Sequence, residues 1–290
     1  MSVLACEQKA NASIGSSTPI RVGVVSYLNT RPLVAGLSGV RGWTWHAAPP
    51  SSLIDLLAND QVDLALCSSI DLLRAPFDPV WAACGPLACC GETRTVRLFA
   101  RRPLNEVRSI GCDPDSHTSV ALLKVLLAEA WKLQPTLHPL SDEVQTDAQL
   151  LIGDKVMAVE ESAEADQWPV QIDLGKAWHE HTGLPFVFAV WMARQDRADV
   201  LRRASCLIDR QLRLNIHRLE QVVSDSVLTA GWTYDTAMSY LQQHIHHEFG
   251  PKELTGMQRF LDSCRTHGIA PDRACPAPIS GVPLGGEDAA

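Results

Sequence analysis

Ile20 to Val25 is a short run of apolar and β-branched residues that stops at the polar stretch Ser26-Tyr27-Leu28-Asn29-Thr30, the pattern of a buried strand opening onto a loop. From Pro50 to Asn59 a serine offers a helix cap, and Leu53, Ile54, Leu56 and Leu57 follow on a helical period before Val62 to Cys67 returns to a strand pattern. The alternation recurs downstream. Arg108 to Cys112 reads as a strand, about Thr118 to Leu133 as a helix with Val120, Leu123, Leu126, Leu127 and Ala130 on one face, and Ala148 to Gly153 as a second strand. Strand, helix and strand in that order predict an α/β fold with largely parallel sheets.

Leu184 to Met192 is the most apolar stretch and reads as a strand, whereas Arg197 to Ser226, Tyr234 to His247 and Lys252 to His267 are helical in pattern. No fixed short repeat is visible. This order predicts two lobes joined by more than one crossover: residues 20–105 with 193–273, and residues 106–192. The 290-residue length accommodates about two domains. Residues 1–19 and the Pro-, Gly- and Ala-rich residues 274–290 are expected to form a disordered and a flexible tail.

The chain is 46% hydrophobic and 20% charged, without the long apolar run that a membrane span needs. Its 33 acidic and 25 basic residues leave a net charge of -8, so no global positive field attracts nucleic acid or an anionic membrane. An anionic ligand therefore needs a local site. Nine cysteines without a C-x-x-C pair favour a reducing compartment over a disulfide framework or zinc module. Met1 to Thr18 lacks a basic start followed by an apolar core, which makes a secretory signal an unsuitable reading and a cytoplasmic location the expectation. His244, His246, His247 and Glu248 look like a metal cluster, but only His244 and His247 would share a helical face and no H-E-x-x-H arrangement is present; no metal is expected. Glycine-rich nucleotide motifs and a G-x-S-x-G elbow are absent, so no cofactor is expected either.

Five segments carry candidate chemistry. Ser26, Tyr27 and Asn29 stand where the first strand ends, the place where open α/β sheets bind ligands; an Asx or Ser turn closing the strand is the structural alternative. Ser68 and Ser69 occupy a second strand-to-helix junction, where helix amides cradle an anion or the hydroxyls merely cap. Asp113 to Val120 holds more hydroxyl and acidic groups than one cap requires, and Ser116, Thr118 and Ser119 with first-turn amides form a carboxylate or phosphate cradle that needs no lysine. Thr95 opens a strand-like run. Gly153-Asp154-Lys155 is expected to be a β-turn, with Asp154 a further ligand-binding candidate.

Taken together, Arg21 to Pro32, Val62 to Leu73, Ser116 to Leu127, Leu150 to Lys155 and Asp173 to Arg194 resemble, in order and spacing, the MqnA family of menaquinone biosynthesis by the futalosine route. The resemblance implies a two-lobed type 2 periplasmic-binding-protein-like fold with a ligand cleft between the lobes. It also implies a lyase that dehydrates chorismate to 3-[(1-carboxyvinyl)oxy]benzoate without metal or organic cofactor, chorismate being the small-molecule partner. By the same motif match Asn29 positions the departing hydroxyl or the substrate side chain. Thr95 takes the place of a serine frequent in relatives, and Cys89-Cys90-Gly91 departs from the Ser/Arg-Gly pattern expected there. No side chain stands out as a general base; the enolpyruvyl carboxylate of the substrate is a candidate. A non-catalytic binding protein for a small carboxylate and the sister 1,4-dihydroxy-6-naphthoate synthase are the alternatives.

Overall fold

The computed structural model describes residues 19–160, 167–226 and 232–279. Val22 is wholly buried in β1 (Ile20–Val24), which pairs in parallel with β2 (Trp43–Ala47) on one side and β3 (Leu64–Ser68) on the other. The strongly apolar β10 (Phe186–Arg194) enters this sheet antiparallel, between β3 and β4 (Pro79–Cys89), giving the order β2-β1-β3-β10-β4. Its apolar composition follows from pairing on both edges and packing on both faces.

The second sheet repeats the plan. It contains β5 (Val96–Ala100), β6 (Ser109–Cys112), β7 (Thr136–Pro139), β8 (Ala148–Ile152) and β9 (Val170–Asp173) in the order β7-β6-β8-β5-β9. Here β6 runs parallel to β7 and β8, while β5 is the antiparallel insertion between β8 and β9. Each sheet is thus mixed, half of its pairings antiparallel, rather than largely parallel. The sheets also divide the chain differently from the expected lobe boundaries: Val96–Ala100 belongs to the second sheet and Phe186–Arg194 to the first. Periodicity identifies a strand but not the edge with which it pairs. The chain passes between the sheets twice, over residues 90–95 and 183–185.

Beside the second passage, Trp178, Phe186 and Phe260 meet edge to face, with centroids 5.4 Å apart for Trp178–Phe186 and 4.9 Å for Phe186–Phe260. Such pairs add about 1 kcal/mol beyond their buried area. The Pro251–Thr266 helix approaches this passage so closely that a Cβ on Gly256 would lie 2.1 Å from the Pro185 carbonyl oxygen. Only a residue without a side chain fits there.

The expected helix over Tyr234 to His247 is shorter: Tyr234–Ser239 is α-helical, Tyr240–His244 forms a π turn, and His246 exchanges two backbone hydrogen bonds with Ala88. His244 and His247 accordingly turn to different partners, the carbonyls of Glu92 and Pro86. Of the expected C-terminal tail, residues 274–279 dock on the first lobe. The fully buried Trp81 indole donates to the Pro276 carbonyl at 2.7 Å, and the Ile279 amide donates to the Trp81 carbonyl at 2.8 Å. A buried indole N–H needs an acceptor, and this segment supplies it. The rest of that tail, and residues 1–18 of the N-terminal one, lie outside the described residues. Among the described residues no helix is long and apolar enough to cross a membrane.

Candidate active site

A cleft between the two sheets is lined from the first by Tyr27, Asn29, Ser68 and Phe188 and from the second by Thr93, Thr95, Ser116, Ser119 and Gly153. It encloses about 540 Å³ of empty space, counting the part open to solvent. Asn29 and Ser68 come from the carboxyl ends of β1 and β3, where strands leave their sheet and the backbone turns away to make room for a ligand. The second-lobe residues come from the passage into β5, the helix after β6 and, for Gly153, the end of β8.

That helix, His117–Leu126, begins with Ser116 as N-cap, its Oγ accepting from the Ser119 amide at 3.1 Å and donating to Ser119 Oγ at 2.8 Å. The Ser119 hydroxyl keeps its own proton for the cleft, and the first-turn amides of His117 and Thr118 have no intrahelical acceptor. Opposite it, the Asp71–Arg74 helix is a single turn with no side-chain cap. Too few peptide dipoles align there to form the second anion cradle expected at Ser68 and Ser69. Ser69 instead donates to the Val187 carbonyl at 2.7 Å and lies 3.5 Å from Thr118 Oγ1.

Of the sequence candidates, Tyr27, Asn29, Ser68, Thr95, Ser116 and Ser119 share the cleft. Ser69 and Thr118 face each other across the lobes and do not line it. Ser26 is exposed and borders a separate hollow with Arg31 and Trp45. Asp154 is not in a β-turn; it begins the Asp154–Glu160 helix and accepts the Trp232 indole hydrogen at 2.8 Å. Its neighbour Gly153 has φ +62°, and a Cβ there would touch the Tyr27 ring at 3.0 Å. The first lobe's tyrosine thus rests on the bare backbone of the second. Burial, reinforced by Asp115, pushes the Tyr27 phenol up to about 12, so it stays protonated as a donor.

Three residues escaped the sequence reading. Thr93 lies on the first passage between the sheets, where the buried Asp173 carboxylate receives the amides of Thr93 at 3.0 Å and Arg94 at 2.7 Å while capping the Leu174–Thr182 helix through Lys176. Phe188 is hidden within an apolar run. Tyr240, 1% exposed, contacts Thr95 and Asn29, yet its segment reads only as an amphipathic helix. Cys89, Cys90 and Gly91 do not line the cleft.

Among the described lining residues none is Lys, Arg, Asp or Glu. Lys155, the nearby cation, is engaged by Asp113 at 2.9 Å and Asp115 at 2.6 Å. The lobes are held together at the rim by the Ser51 amide on the Asp115 carbonyl at 2.9 Å and by His117 Nδ1 on Asp71 at 2.9 Å. Farther out, Glu129 of the second lobe meets Arg259 at 2.6 Å, His181 at 3.2 Å and His267 at 3.1 Å. Burial opposes ionisation of Glu129, but the hydrogen bonds from Arg259, His181 and Ser263 outweigh it and hold the carboxyl down to about 2.

Two mixed sheets with a shared cleft at their strand ends define a periplasmic-binding-protein-like fold. Solved structures of that shape include a protein from Archaeoglobus fulgidus, 14% identical with a TM-score of 0.69 over 87% of this chain and 99% of that one. The alkanesulfonate-binding protein of Xanthomonas axonopodis pv. citri is 14% identical, with a TM-score of 0.64 over 90% of this chain and 97% of its own. Residues 20–266 match the menaquinone biosynthesis family, and the chain belongs to it. Curated relatives include the chorismate dehydratases of Campylobacter jejuni, 25% identical over 84% of this chain and 93% of that one, and of Thermus thermophilus, 28% identical over 84% and 95%.

Proposed function

We propose that this protein is a chorismate dehydratase, acting in the cytoplasm on the futalosine route to menaquinone. The single observation that carries the chemistry is the cleft lining: neutral hydroxyls, a carboxamide and the start of a ten-residue helix, with no charged side chain among the described residues. Two near full-length relatives bearing that activity support the reading. Seven free cysteines among the described residues, Cys67, Cys84 and Cys89 included, suit a reducing compartment.

Chorismate carries two carboxylates. Ser116, Ser119 and the first-turn amides of their helix receive one, and Ser68 and Tyr27 stand on the opposite wall. Loss of the proton at ring C3 builds charge that delocalises onto the ring carboxylate, where fixed donors stabilise it as it forms. The enolpyruvyl carboxylate of the substrate takes that proton. In a lining without cations this carboxylate keeps its basicity, because no positive partner draws off its charge. The ring then expels its C4 oxygen, which leaves as water after accepting the transferred proton, and becomes aromatic. Asn29 and Thr95 adjoin one another through Tyr240 and orient the departing hydroxyl.

The test is to incubate the purified protein with chorismate and follow the ultraviolet absorbance and mass of an aromatic product 18 Da lighter than the substrate, the mass of one water. Chorismate recovered unchanged from a protein that binds it would make this a solute-binding protein instead.

A further inference from the structure

We propose that Tyr240 is a positioning residue for this reaction: its phenol sets which end of the Asn29 carboxamide faces the cleft, presenting Oδ1 to the substrate's C4 hydroxyl. The inference rests on the dehydratase reading and deepens it. Tyr240 Oη lies 3.3 Å from Asn29 Nδ2 and 2.9 Å from Thr95 Oγ1, and Thr95 Oγ1 reaches the Thr93 carbonyl at 3.5 Å. A carbonyl can only accept, so the chain has one direction. Thr95 donates to Thr93, Tyr240 donates to Thr95, and the Asn29 amide donates to Tyr240. What remains is Asn29 Oδ1, a buried acceptor without a partner.

Leaving that oxygen unpaired is unfavourable until a donor arrives. The C4 hydroxyl is a donor of the required kind. By giving its hydrogen to Oδ1 it turns its lone pairs away from Asn29, free to receive the proton collected from C3 before the C4–O bond breaks. Atoms balance: one hydrogen leaves C3, one hydroxyl leaves C4, and both depart as a single water.

The phenol is well placed to hold this direction. Its ring is stacked on Trp232, centroids 4.9 Å apart at 25°, and the Trp232 indole is tied to Asp154 at the start of a second-lobe helix. Burial raises the Tyr240 hydroxyl far above its ordinary range, so it remains a donor at any working pH. A residue remote in sequence, at the π turn that ends its helix, therefore joins Asn29 of one lobe to Thr95 of the other.

Tyr240→Phe keeps the ring and its stacking and removes only the hydroxyl. Expected are a kcat on chorismate lowered more than about tenfold, a KM within about twofold, and a thermal transition lowered by only about 2–4 °C, the cost of the buried partners left unpaired. In an Asn29→Ala background the same change should cost less than about twofold more, because the two groups act as one unit. An unaltered kcat, or a full additional loss in that background, overturns the inference. Should Tyr240→Phe fail to fold, Thr95 decides: Thr95→Ser keeps the hydroxyl chain and is expected to hold kcat within about threefold, Thr95→Val to lose more than about tenfold. Equal kcat for those two variants overturns it. A wild-type protein that does not consume chorismate refutes the functional reading and this inference together; an active wild type with an indifferent Tyr240→Phe refutes this inference alone.

Discussion

The two strand-to-helix junctions that face each other across the cleft look alike in sequence, each a cluster of small hydroxyl residues, but they do different work. At Ser116 a ten-residue helix follows, with a side-chain cap and with Ser116 and Ser119 at the cleft wall. At Ser69 only the four-residue Asp71–Arg74 helix follows, and Ser69 and Thr118 are used in holding one lobe to the other. The difference teaches that a hydroxyl at a helix start becomes a ligand site only when enough aligned peptides stand behind it and the opposing lobe leaves it uncovered.

The largest expected effect comes from breaking the longer junction. Ser116→Ala with Ser119→Ala should raise KM for chorismate tenfold or more, since hydrogen bonds to a carboxylate contribute about 1.5–3 kcal/mol, and should lower stability by about 1 kcal/mol through loss of the cap. Steady-state kinetics and denaturant unfolding read both; a wild-type KM would remove this junction from substrate binding. Next, Ser68→Ala should raise KM by about three- to tenfold with little change in the unfolding midpoint, because Ser68 lines the cleft. Its neighbour separates the two roles. Ser69→Ala should leave KM within about twofold and cost about 1 kcal/mol of stability, as the buried Val187 carbonyl loses its donor. If the Ser68 and Ser69 variants behaved identically in both assays, the contrast drawn between these adjacent serines would be false.

The smallest effect tests the link between the junctions. Burial lifts the Asp71 carboxyl above its ordinary value, although His117 pulls it down. The folded protein then holds this proton more tightly than the unfolded chain does, so the associated stability is present below pH 3.8 and is lost as pH rises through the raised value. Stability measured against Asp71→Asn over a pH series should therefore decline across that interval. A wild-type advantage growing with pH there would mean that the His117 bond, rather than burial, dominates.

Strand and helix patterns made much of this architecture legible. The β1 run, the β3 return, the capped helix at Ser116 and the helical end of the chain follow from side-chain spacing and capping, which are local properties. So does the grouping of Tyr27, Asn29, Ser68, Thr95, Ser116 and Ser119 as polar residues at strand ends. β4 did not declare itself, because Gly85, Pro86 and three alanines blur its alternation, and its strand character comes from pairing with β10. Nothing local distinguishes Ser68 from Ser69.

The sequence by itself determined many of the element types, the absence of a net positive field and the family resemblance, since composition and short-range periodicity act through neighbours along the chain. Tertiary structure alone decided that β5 and β10 exchange sheets, that Ser69 and Thr118 turn to each other, and that Tyr240 meets Asn29 across 211 residues. The physical reason is that hydrogen-bond partners and burial are set by which surfaces meet in space, and spacing along the chain carries no record of that meeting.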